Sequence, residues 1–212
     1  VTPTPYSKRL LEAYPIEKPI YAISNGIELD FFRKNEKEGI EFREKYGFSK
    51  DDKIVISVGL YIERKGILDF VELARRCPEY QFVWFGYTNL NLVPPKIRKA
   101  VATELPNLYF AGYVPREELR KAYSGADLFL FPTLEETEGI VLLEALASKI
   151  PTLIRDIPIY EGWFEDGKNV YKASTLDEFE SKLKDILEKK VPDLTEEGYK
   201  VAKERDIKCI GK

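Results

Sequence analysis

Short apolar runs that end at a glycine and lead into an amphipathic helix recur along this chain, and they limit its fold more than any other feature. Lys53 to Gly59 contains the run Ile-Val-Ile-Ser-Val, Tyr80 to Phe85 precedes Gly86, and Leu108 to Ala111 precedes Gly112. Each run has the length and composition of a buried strand. Strands that alternate with helices across short loops predict an α/β fold with a doubly wound parallel sheet.

The remaining elements follow from apolar periodicity, from prolines at helix starts and from the Thr175 and Glu178 pair, which fits a capping box. The predicted helices are Thr4 to Tyr14, Glu38 to Tyr46, Ile67 to Arg76, Pro95 to Thr103, Pro115 to Ser124, Ile140 to Ala147, Thr175 to Lys190 and Thr195 to Arg205. The other predicted strands are Ile20 to Ser24, Leu128 to Phe131, Pro151 to Ile154 and Asn169 to Tyr171, and Pro158 to Phe164 is a predicted helical turn.

The polar turn between the strand Leu128 to Phe131 and the helix that starts at Ile140 is the strongest candidate for a binding site. A helix N-terminus offers unpaired backbone donors and a partial positive charge. We therefore predict a cradle for a phosphate, formed by the backbone amides of Thr137, Glu138, Gly139 and Ile140.

Acidic residues crowd this turn, where they would repel a bare phosphate. Glu135, Glu136 and Glu138 lie in the turn, and Glu144 follows within an otherwise apolar helix. Ionised carboxylates accept hydrogen bonds from adjacent sugar hydroxyls, so the pattern favours a ligand that carries both phosphate and a sugar or ribose. The alternative is that acids in a first helical turn only complement the helix dipole. Glu144 fits that alternative poorly, because a carboxylate among apolar residues usually has a partner or a function.

Glycines at the predicted carboxyl ends of the strands point to the same edge of the sheet. Gly59, Gly86 and Gly112 follow three strands, and ligands of open α/β sheets bind at that edge. Glycine lets a ligand approach the backbone closely, so the group predicts a long, flat ligand such as a nucleotide. The alternative for each glycine taken alone is simple turn geometry.

Composition narrows the function classes. The chain has 212 residues with a net charge of -3. This charge does not indicate a nucleic-acid-binding protein, and the sequence has no polybasic patch of the kind that binds membranes. It has no histidine and two cysteines that lie far apart, and it lacks an Asp-x-Asp pair, so we expect neither a metal site nor a cofactor. Two cysteines without a signal segment favour a cytoplasmic location. The chain begins at Val1 and contains no methionine, which predicts a fragment.

Together these residues resemble the C-terminal, donor-binding domain of a retaining GT-B glycosyltransferase of the family-four type. The motif Glu136 to Glu144, with seven residues between the two acids, is similar to the paired glutamates of that family. The resemblance implies that Glu136 contacts the donor sugar, that Glu144 contacts the ribose, and that the amides of residues 137–140 face the diphosphate. Residues 1–18 would then be the tail of a missing N-terminal domain with its linker, and residues 19–212 the donor domain.

Other segments carry the same resemblance. Gly59 to Gly66 resembles the family's phosphate loop, which implies that Lys65 neutralises the leaving diphosphate and that Gly59 and Gly86 line the donor site. Gly112-Tyr-Val-Pro resembles the segment whose backbone reads the base, which places Val114 there. Many members have a basic residue at the position of Leu60, and Arg64 is the candidate replacement.

The sequences around Glu136 to Glu144 and around Gly59 to Gly66 are similar to those of bacterial enzymes that glucosylate diacylglycerol. This implies transfer of a hexose, glucose from UDP-glucose, to a lipid or glycan acceptor without a metal. We expect the fragment to bind nucleotide sugar and to be inactive without its N-terminal domain, and a lipid acceptor would bring the full-length protein to the inner face of the membrane. The alternatives are a non-catalytic nucleotide-binding or regulatory Rossmann-like module and a dinucleotide oxidoreductase, although no G-x-G-x-x-G follows the first strand.

Overall fold

A computed structural model describes residues 1–210, which form an α/β fold with one parallel sheet between two layers of helices. In these residues the strands are β1 (Ile54–Val58), β2 (Gln81–Phe85), β3 (Leu108–Gly112), β4 (Leu128–Phe131), β5 (Thr152–Arg155) and β6 (Tyr171–Ala173). The helices are α1 (Pro5–Glu12), α2 (Glu36–Tyr46), α3 (Ile67–Arg76), α4 (Pro95–Val101), α5 (Arg116–Gly125), α6 (Ile140–Ala147), α7 (Leu176–Leu187) and α8 (Thr195–Lys203). The predicted doubly wound parallel sheet is confirmed.

The sheet order is β3-β2-β1-β4-β5-β6, and every pair of neighbouring strands is parallel. The chain runs outward from β1 to β3, and it then returns to the centre and runs outward again from β4 to β6. The direction therefore changes between β1 and β4, which pair in the register Val55 to Leu128 and Ile56 to Phe129. In open α/β sheets this change opens a crevice beyond the carboxyl ends of the two strands.

Alternate side chains of the strands enter two separate cores, one on each face of the sheet. Ile56 and Phe129 belong to the core beneath α2, α5, α6 and α8, whereas Val55 and Leu130 belong to the core beneath α3, α4 and α7. These side chains are fully buried. Burial on both faces explains why the strands read as continuous apolar runs.

The predicted strand Ile20 to Ser24 is wrong. Within the described residues this segment makes only a single bridge, between Thr2 and Ala22. The amide of Thr2 donates to the carbonyl of Tyr21 at 2.8 Å, and the amide of Ile23 donates to the carbonyl of Thr2 at 2.8 Å. A strand needs a longer partner than this, so the apolar composition was not sufficient.

The boundary predicted between residues 18 and 19 stays a prediction, and positions 211–212 of the predicted domain lie outside the described residues.

The last predicted strand is shifted along the chain. Asn169 to Tyr171 was the prediction, and β6 starts only at Tyr171. Asn169 instead closes a turn, because its Oδ1 accepts from the amide of Glu165 at 2.9 Å and its Nδ2 donates to the carbonyl of Trp163 at 3.1 Å. An asparagine side chain that bonds to nearby backbone favours a turn over a strand.

The helix predictions are confirmed with changes at their ends. Thr175 caps α7, since its Oγ1 accepts from the amide of Glu178 at 3.2 Å, while the carboxylate of Glu178 accepts from the amide of Ser174 at 2.7 Å. The predicted helical turn from Pro158 to Phe164 is a 3₁₀ turn over Pro158–Tyr160. None of the helices in residues 1–210 combines the length and the apolar composition that a bilayer span requires.

Candidate functional site

Two loops meet at the crevice between β1 and β4. We call residues Gly59–Gly66, which follow β1, the β1 loop, and residues Pro132–Gly139, which follow β4, the β4 turn. Gly66 has φ +76°, and a Cβ added to it would lie 2.2 Å from the carbonyl oxygen of Pro132. The two loops are therefore in backbone contact, and only a glycine fits at this position.

Lys65 and Glu136 lie side by side across this contact. The family resemblance implies that Lys65 acts on the diphosphate and Glu136 on the donor sugar, which makes both candidate catalytic residues. The Nζ of Lys65 forms an ion pair with Oε2 of Glu136, with 14% and 8% of the two side chains exposed. The ammonium also lies 5.6 Å from the ring centroid of Phe131, at the end of β4. The site thus holds one cation and one anion in contact, both of them largely screened from solvent.

Glu136 also orders the turn that carries it. Its Oε1 accepts from the amide of Thr137 at 2.9 Å, so each carboxylate oxygen has a partner. In residues 1–210, no acceptor bonds to the amides of Glu138, Gly139 and Ile140. Three of the four amides of the predicted cradle therefore lack an intramolecular acceptor among these residues, whereas the amide of Thr137 is occupied by Glu136. Contact of these amides with a phosphate stays a prediction.

Arg64, the second predicted cation, lies beside the β4 turn. Its Nη1 donates to the carbonyl of Glu135 at 2.7 Å, and its own carbonyl accepts from the amide of Leu134 at 2.8 Å. Leu60 is exposed near the start of the same loop. The guanidinium keeps further N–H groups free for a ligand, because it has five in all. This position beside the turn is compatible with the prediction that Arg64 supplies the positive charge that many family members have at the position of Leu60.

Arg155, which the sequence did not reveal as a site residue, supports the base of the β4 turn. Its Nε donates to the carbonyl of Pro132 at 3.1 Å and its Nη1 to the carbonyl of Ser174 at 3.0 Å. Its Nη2 forms an ion pair with Asp69 of α3. The available signal in the sequence was a cation directly after the predicted strand Pro151 to Ile154. The contacts engage it inside the protein, so we assign it to the support of the turn.

The carboxylate of Glu138 is bound by a distant loop. Ser24 Oγ, the side-chain amide of Asn25 and the backbone amide of Asn25, at 3.1 Å, all donate to it. The residue is buried. The carboxylate of Glu138 is therefore engaged inside the protein, and contact of its backbone amide with a ligand stays a prediction. Sequence alone could not pair residues this far apart.

Glu144 lies one helical turn into α6, and a tyrosine hydroxyl holds it. Its side chain is largely buried, with 8% of the residue exposed, and the hydroxyl of Tyr123 lies 3.1 Å from its Oε2. Burial raises the pKa of Glu144 to about 7, while the Tyr123 hydrogen bond and the charge of Arg116 lower it. The carboxylate therefore has a hydrogen-bond partner in the protein, and it titrates near neutral pH. Its contact with a ligand's ribose stays a prediction.

A family model described as glycosyl transferases group 1 matches residues 38–205. The chain belongs to this family. The processive diacylglycerol alpha-glucosyltransferase of Acholeplasma laidlawii is 41% identical over 212 residues, which cover all of this chain and 64% of that relative. The alpha-galactosylglucosyldiacylglycerol synthase of Streptococcus pneumoniae is 32% identical over 139 residues, or 59% of this chain and 34% of that protein.

Solved structures share the fold, and one of them is a domain of a group 1 glycosyl transferase. Anabaena Alr3699/HepE, crystallised in complex with UDP and glucose, has a TM-score of 0.84 at 14% identity and covers 97% of this chain and 58% of its own. The C-terminal domain of the group 1 protein LpcC from Francisella tularensis has a TM-score of 0.66 at 20% identity, over 86% of this chain and 100% of its own. The predicted resemblance to a C-terminal GT-B domain near the diacylglycerol glucosyltransferases is therefore confirmed.

Of the two glycines that this group 1 domain places at the sheet edge, Gly86 has a structural reason to be glycine, whereas Gly59 has only a close contact with a flexible side chain. A Cβ on Gly86 would lie 2.1 Å from the carbonyl oxygen of Gly59, and a Cβ on Gly59 would lie 3.2 Å from Cγ of Lys65. The same carbonyl accepts from Nε1 of Trp84 at 2.8 Å. Val114 is half-buried beyond β3. Contact of Gly59, Gly86 and Val114 with a ligand stays a prediction. The close approach of the Gly59 carbonyl explains why position 86 is a glycine, and no ligand is needed for that.

Two buried hydroxyls near the β4 turn have no hydrogen-bond partner in the described part of the chain. They are Oγ1 of Thr133 and the hydroxyl of Tyr160, which would lie 3.2 Å from a Cβ at Gly139. Buried polar groups are normally paired. These two hydroxyls are thus exceptions to that rule within residues 1–210.

A cavity of about 460 Å³ lies at the opposite, amino-terminal edge of the sheet. Lys53, Asp127 and Thr152, which precede or begin three of the strands, line it together with Leu187 and Leu194. None of the candidate site residues lines this cavity. The chemistry and the backbone donors lie at the carboxyl edge, so we keep the candidate site there.

The Lys65 and Glu136 pair is expected to stabilise the fold. Lys65→Met should cost about 2 kcal/mol of unfolding free energy, because it leaves a largely buried carboxylate without its counter-ion. Adding Glu136→Gln should recover most of this loss, which urea unfolding of both single variants and the double variant would measure.

Lys96→Met is the matched control for that cycle. Lys96 pairs with Glu63 at 2.6 Å, but 52% and 49% of these side chains are exposed. A pair so exposed contributes at most about 1 kcal/mol. Equal losses in Lys65→Met and Lys96→Met would contradict the interpretation that burial makes the site pair important.

Proposed function

We propose that this chain is the donor-binding part of a retaining glycosyltransferase of GT-B architecture that transfers a hexose, glucose from UDP-glucose, to a lipid or glycan acceptor. The observation that carries the proposal is the contact of Lys65 with Glu136 in the turn that also holds the amides of residues 138–140, which have no hydrogen-bond acceptor within residues 1–210. This arrangement joins a cation, backbone donors and a hydroxyl acceptor within one crevice. The Acholeplasma relative's name specifies a glucosyl group and diacylglycerol, which supports the donor sugar and a lipid acceptor.

In the proposed reaction, the bond between the anomeric carbon and the diphosphate oxygen breaks, and its electron pair stays on the departing UDP. The acceptor hydroxyl forms the new bond to the same carbon, and its proton passes to the departing diphosphate oxygen. Lys65, Arg64 and the amides of residues 138–140 stabilise the charge that develops on UDP. Glu136 accepts hydrogen bonds from the sugar hydroxyls and Glu144 from the ribose, which orients the donor. Lys65 therefore exchanges contact with Glu136 for contact with the diphosphate when the donor binds.

The other half of the site is assigned to a domain outside this chain. The chain spans 64% of the Acholeplasma relative and 58% of the Anabaena structure. We therefore propose that this chain binds nucleotide sugar and transfers nothing by itself. Radiolabelled transfer from UDP-glucose to a diacylglycerol acceptor by the 212-residue chain alone would disprove this part.

We also propose a cytoplasmic location, in which the full-length protein reaches the inner face of the membrane through the domain outside this chain. The diacylglycerol in the Acholeplasma relative's name supports a membrane acceptor. In flotation with lipid vesicles, the full-length protein should bind the vesicles and this chain alone should not. Binding of this chain alone would contradict the role of the outside domain.

Calorimetric titration tests the donor assignment. UDP-glucose should bind and GDP-mannose and NADH should not, and binding should be unchanged in EDTA because no metal is part of the proposal. Glu144→Ala should weaken UDP-glucose binding at least about tenfold, since hydrogen bonds to a charged group contribute about 1.5–3 kcal/mol. Glu135→Ala is the matched control, because Glu135 is exposed in the same turn.

The titration also separates the alternatives. Heat with NADH and none with UDP-glucose would favour an oxidoreductase module and overturn the proposal. Equal binding by the parent and Glu144→Ala would remove Glu144 from the site. UDP-glucose binding by the full-length protein without any transfer would favour a regulatory module.

A further inference from the structure

Tyr123 is a buried tyrosine of α5 that lies against the candidate site without belonging to any motif of the sequence. The residue is fully buried, and its ring packs edge-on against Phe32 at 6.0 Å and Phe129 at 5.7 Å between centroids. Aromatic contacts on two sides leave the ring little freedom to turn. The position of its hydroxyl is therefore set by the core.

The Tyr123 hydroxyl reaches two acceptors on α6. It lies 3.1 Å from the carbonyl oxygen of Val141 and 3.1 Å from Oε2 of Glu144. A phenol has one proton, so it donates to one of these oxygens at a time. Oε1 of Glu144 accepts no hydrogen bond within residues 1–210, and the residue remains partly accessible. The two carboxylate oxygens are thus unlike: one is held and one is open.

We propose that Tyr123 is a positioning residue, which holds Oε2 of Glu144 so that Oε1 stays open to the adjacent hydroxyls of a ligand's ribose. This inference rests on the proposed function, since it takes the ligand to be a nucleotide. Tyr123 does not touch the ligand. It acts through the orientation and ionisation of Glu144.

The surroundings of Glu144 make the tyrosine important for its charge. Among the described residues, the titratable groups that act on it are Tyr123 and Arg116, both on α5, and both lower its pKa against the effect of burial. The other elements packed on α6 present apolar groups to this core, among them Phe129 of β4 and Ala202 of α8. Loss of the phenol proton donor therefore leaves Arg116 as the remaining group that favours the carboxylate form.

The test compares Tyr123→Phe with the parent in calorimetric titrations with UDP and 2′-deoxy-UDP from pH 5.5 to 8.5. The parent should prefer UDP by about tenfold, the usual effect of a hydrogen bond to a charged group. Tyr123→Phe should reduce this preference to less than about threefold. It should also move the pH midpoint of UDP binding upward, because the carboxylate then ionises at higher pH.

Tyr80→Phe is the matched control. The hydroxyl of Tyr80 also lies 3.1 Å from a glutamate, Glu188, but in the core on the other face of the sheet. This variant should keep both the preference and the pH midpoint of the parent. Carbon-13 NMR of the Glu144 carboxyl gives the pKa directly in each variant, so a change of stability alone would not produce the expected result.

The possible results are distinct. If Tyr123→Phe keeps the parent's preference and the parent's Glu144 pKa, the positioning role is wrong while the proposed function stands. If the parent itself does not distinguish UDP from 2′-deoxy-UDP and Glu144→Ala binds UDP normally, the ribose contact fails, which overturns the positioning role and removes Glu144 from the proposed site. Absence of UDP-glucose binding by the parent is the separate result that overturns the proposed function.

Discussion

Gly66→Ala is expected to destabilise the fold by about 4 kcal/mol and to abolish nucleotide binding. The new Cβ would lie 2.2 Å from the oxygen and 2.6 Å from the carbon of the Pro132 carbonyl, and Gly66 has φ +76°. Backbone atoms cannot move aside as a side chain can, so the β1 loop and the β4 turn would have to separate. A clash of this kind adds to the strain of a left-handed residue, and together they belong to the exceptional class of single mutations. Urea unfolding measures the loss.

Gly47→Ala separates the clash from the conformation. Gly47 has φ 74° and ψ 21° at the end of α2, and Gly66 has φ 76° and ψ 23°. A Cβ on Gly47 meets nothing within 4 Å. The control should therefore lose only about 1 kcal/mol, the cost of the left-handed conformation for alanine. Similar losses for the two variants would show that the contact between the loops is not tight.

Glu144→Gln is expected to make the protein more stable above neutral pH and to leave it nearly unchanged in acid. Burial raises the pKa of this carboxyl from its ordinary 4.5 to about 7. Between these values the folded state holds a proton that the unfolded state releases, so the contribution of Glu144 to stability is present below pH 4.5 and is lost as the pH rises through 7. The difference between the two pKa values corresponds to about 3 kcal/mol.

Unfolding free energies of the parent and Glu144→Gln at pH 4.5 and pH 8 check this result. Glu135→Gln, an exposed change in the β4 turn, should stay within about 0.5 kcal/mol of the parent at both values. A constant difference between Glu144→Gln and the parent at both pH values would contradict the raised pKa. Under the proposed function, this gain in stability accompanies weaker nucleotide binding, the trade-off that is typical of a binding residue.

The architecture and much of the site could be predicted from local sequence. Apolar runs of strand length, glycines after them and helix periodicity determine the order of elements, and that order brings the ends of β1 and β4 together. The contact between Lys65 and Glu136 follows from this arrangement once their loops are known. Local patterns are reliable at these places because strand, turn and helix signals agree with one another.

Other features depend on contacts between distant parts of the chain, and no local pattern reports them. The carboxylate of Glu138 is bound by Ser24 and Asn25, more than a hundred residues earlier. Tyr123 reads as an ordinary apolar-face residue of α5 until its hydroxyl is seen beside Glu144. The segment Ile20 to Ser24 has a strand composition, but within residues 1–210 its pairing is limited to the single bridge between Thr2 and Ala22.

The pairing of β1 with β4 joins two groups of three strands through the register Val55 to Leu128 and Ile56 to Phe129. Each group carries one of the two loops, so a ligand that contacts both can bind only while this pairing is intact. Such a ligand lowers the population of molecules in which the two groups have opened separately. Occupancy of the crevice thereby makes the unfolding of the domain more cooperative, and amide hydrogen exchange in β1 and β4 with and without UDP would measure this coupling.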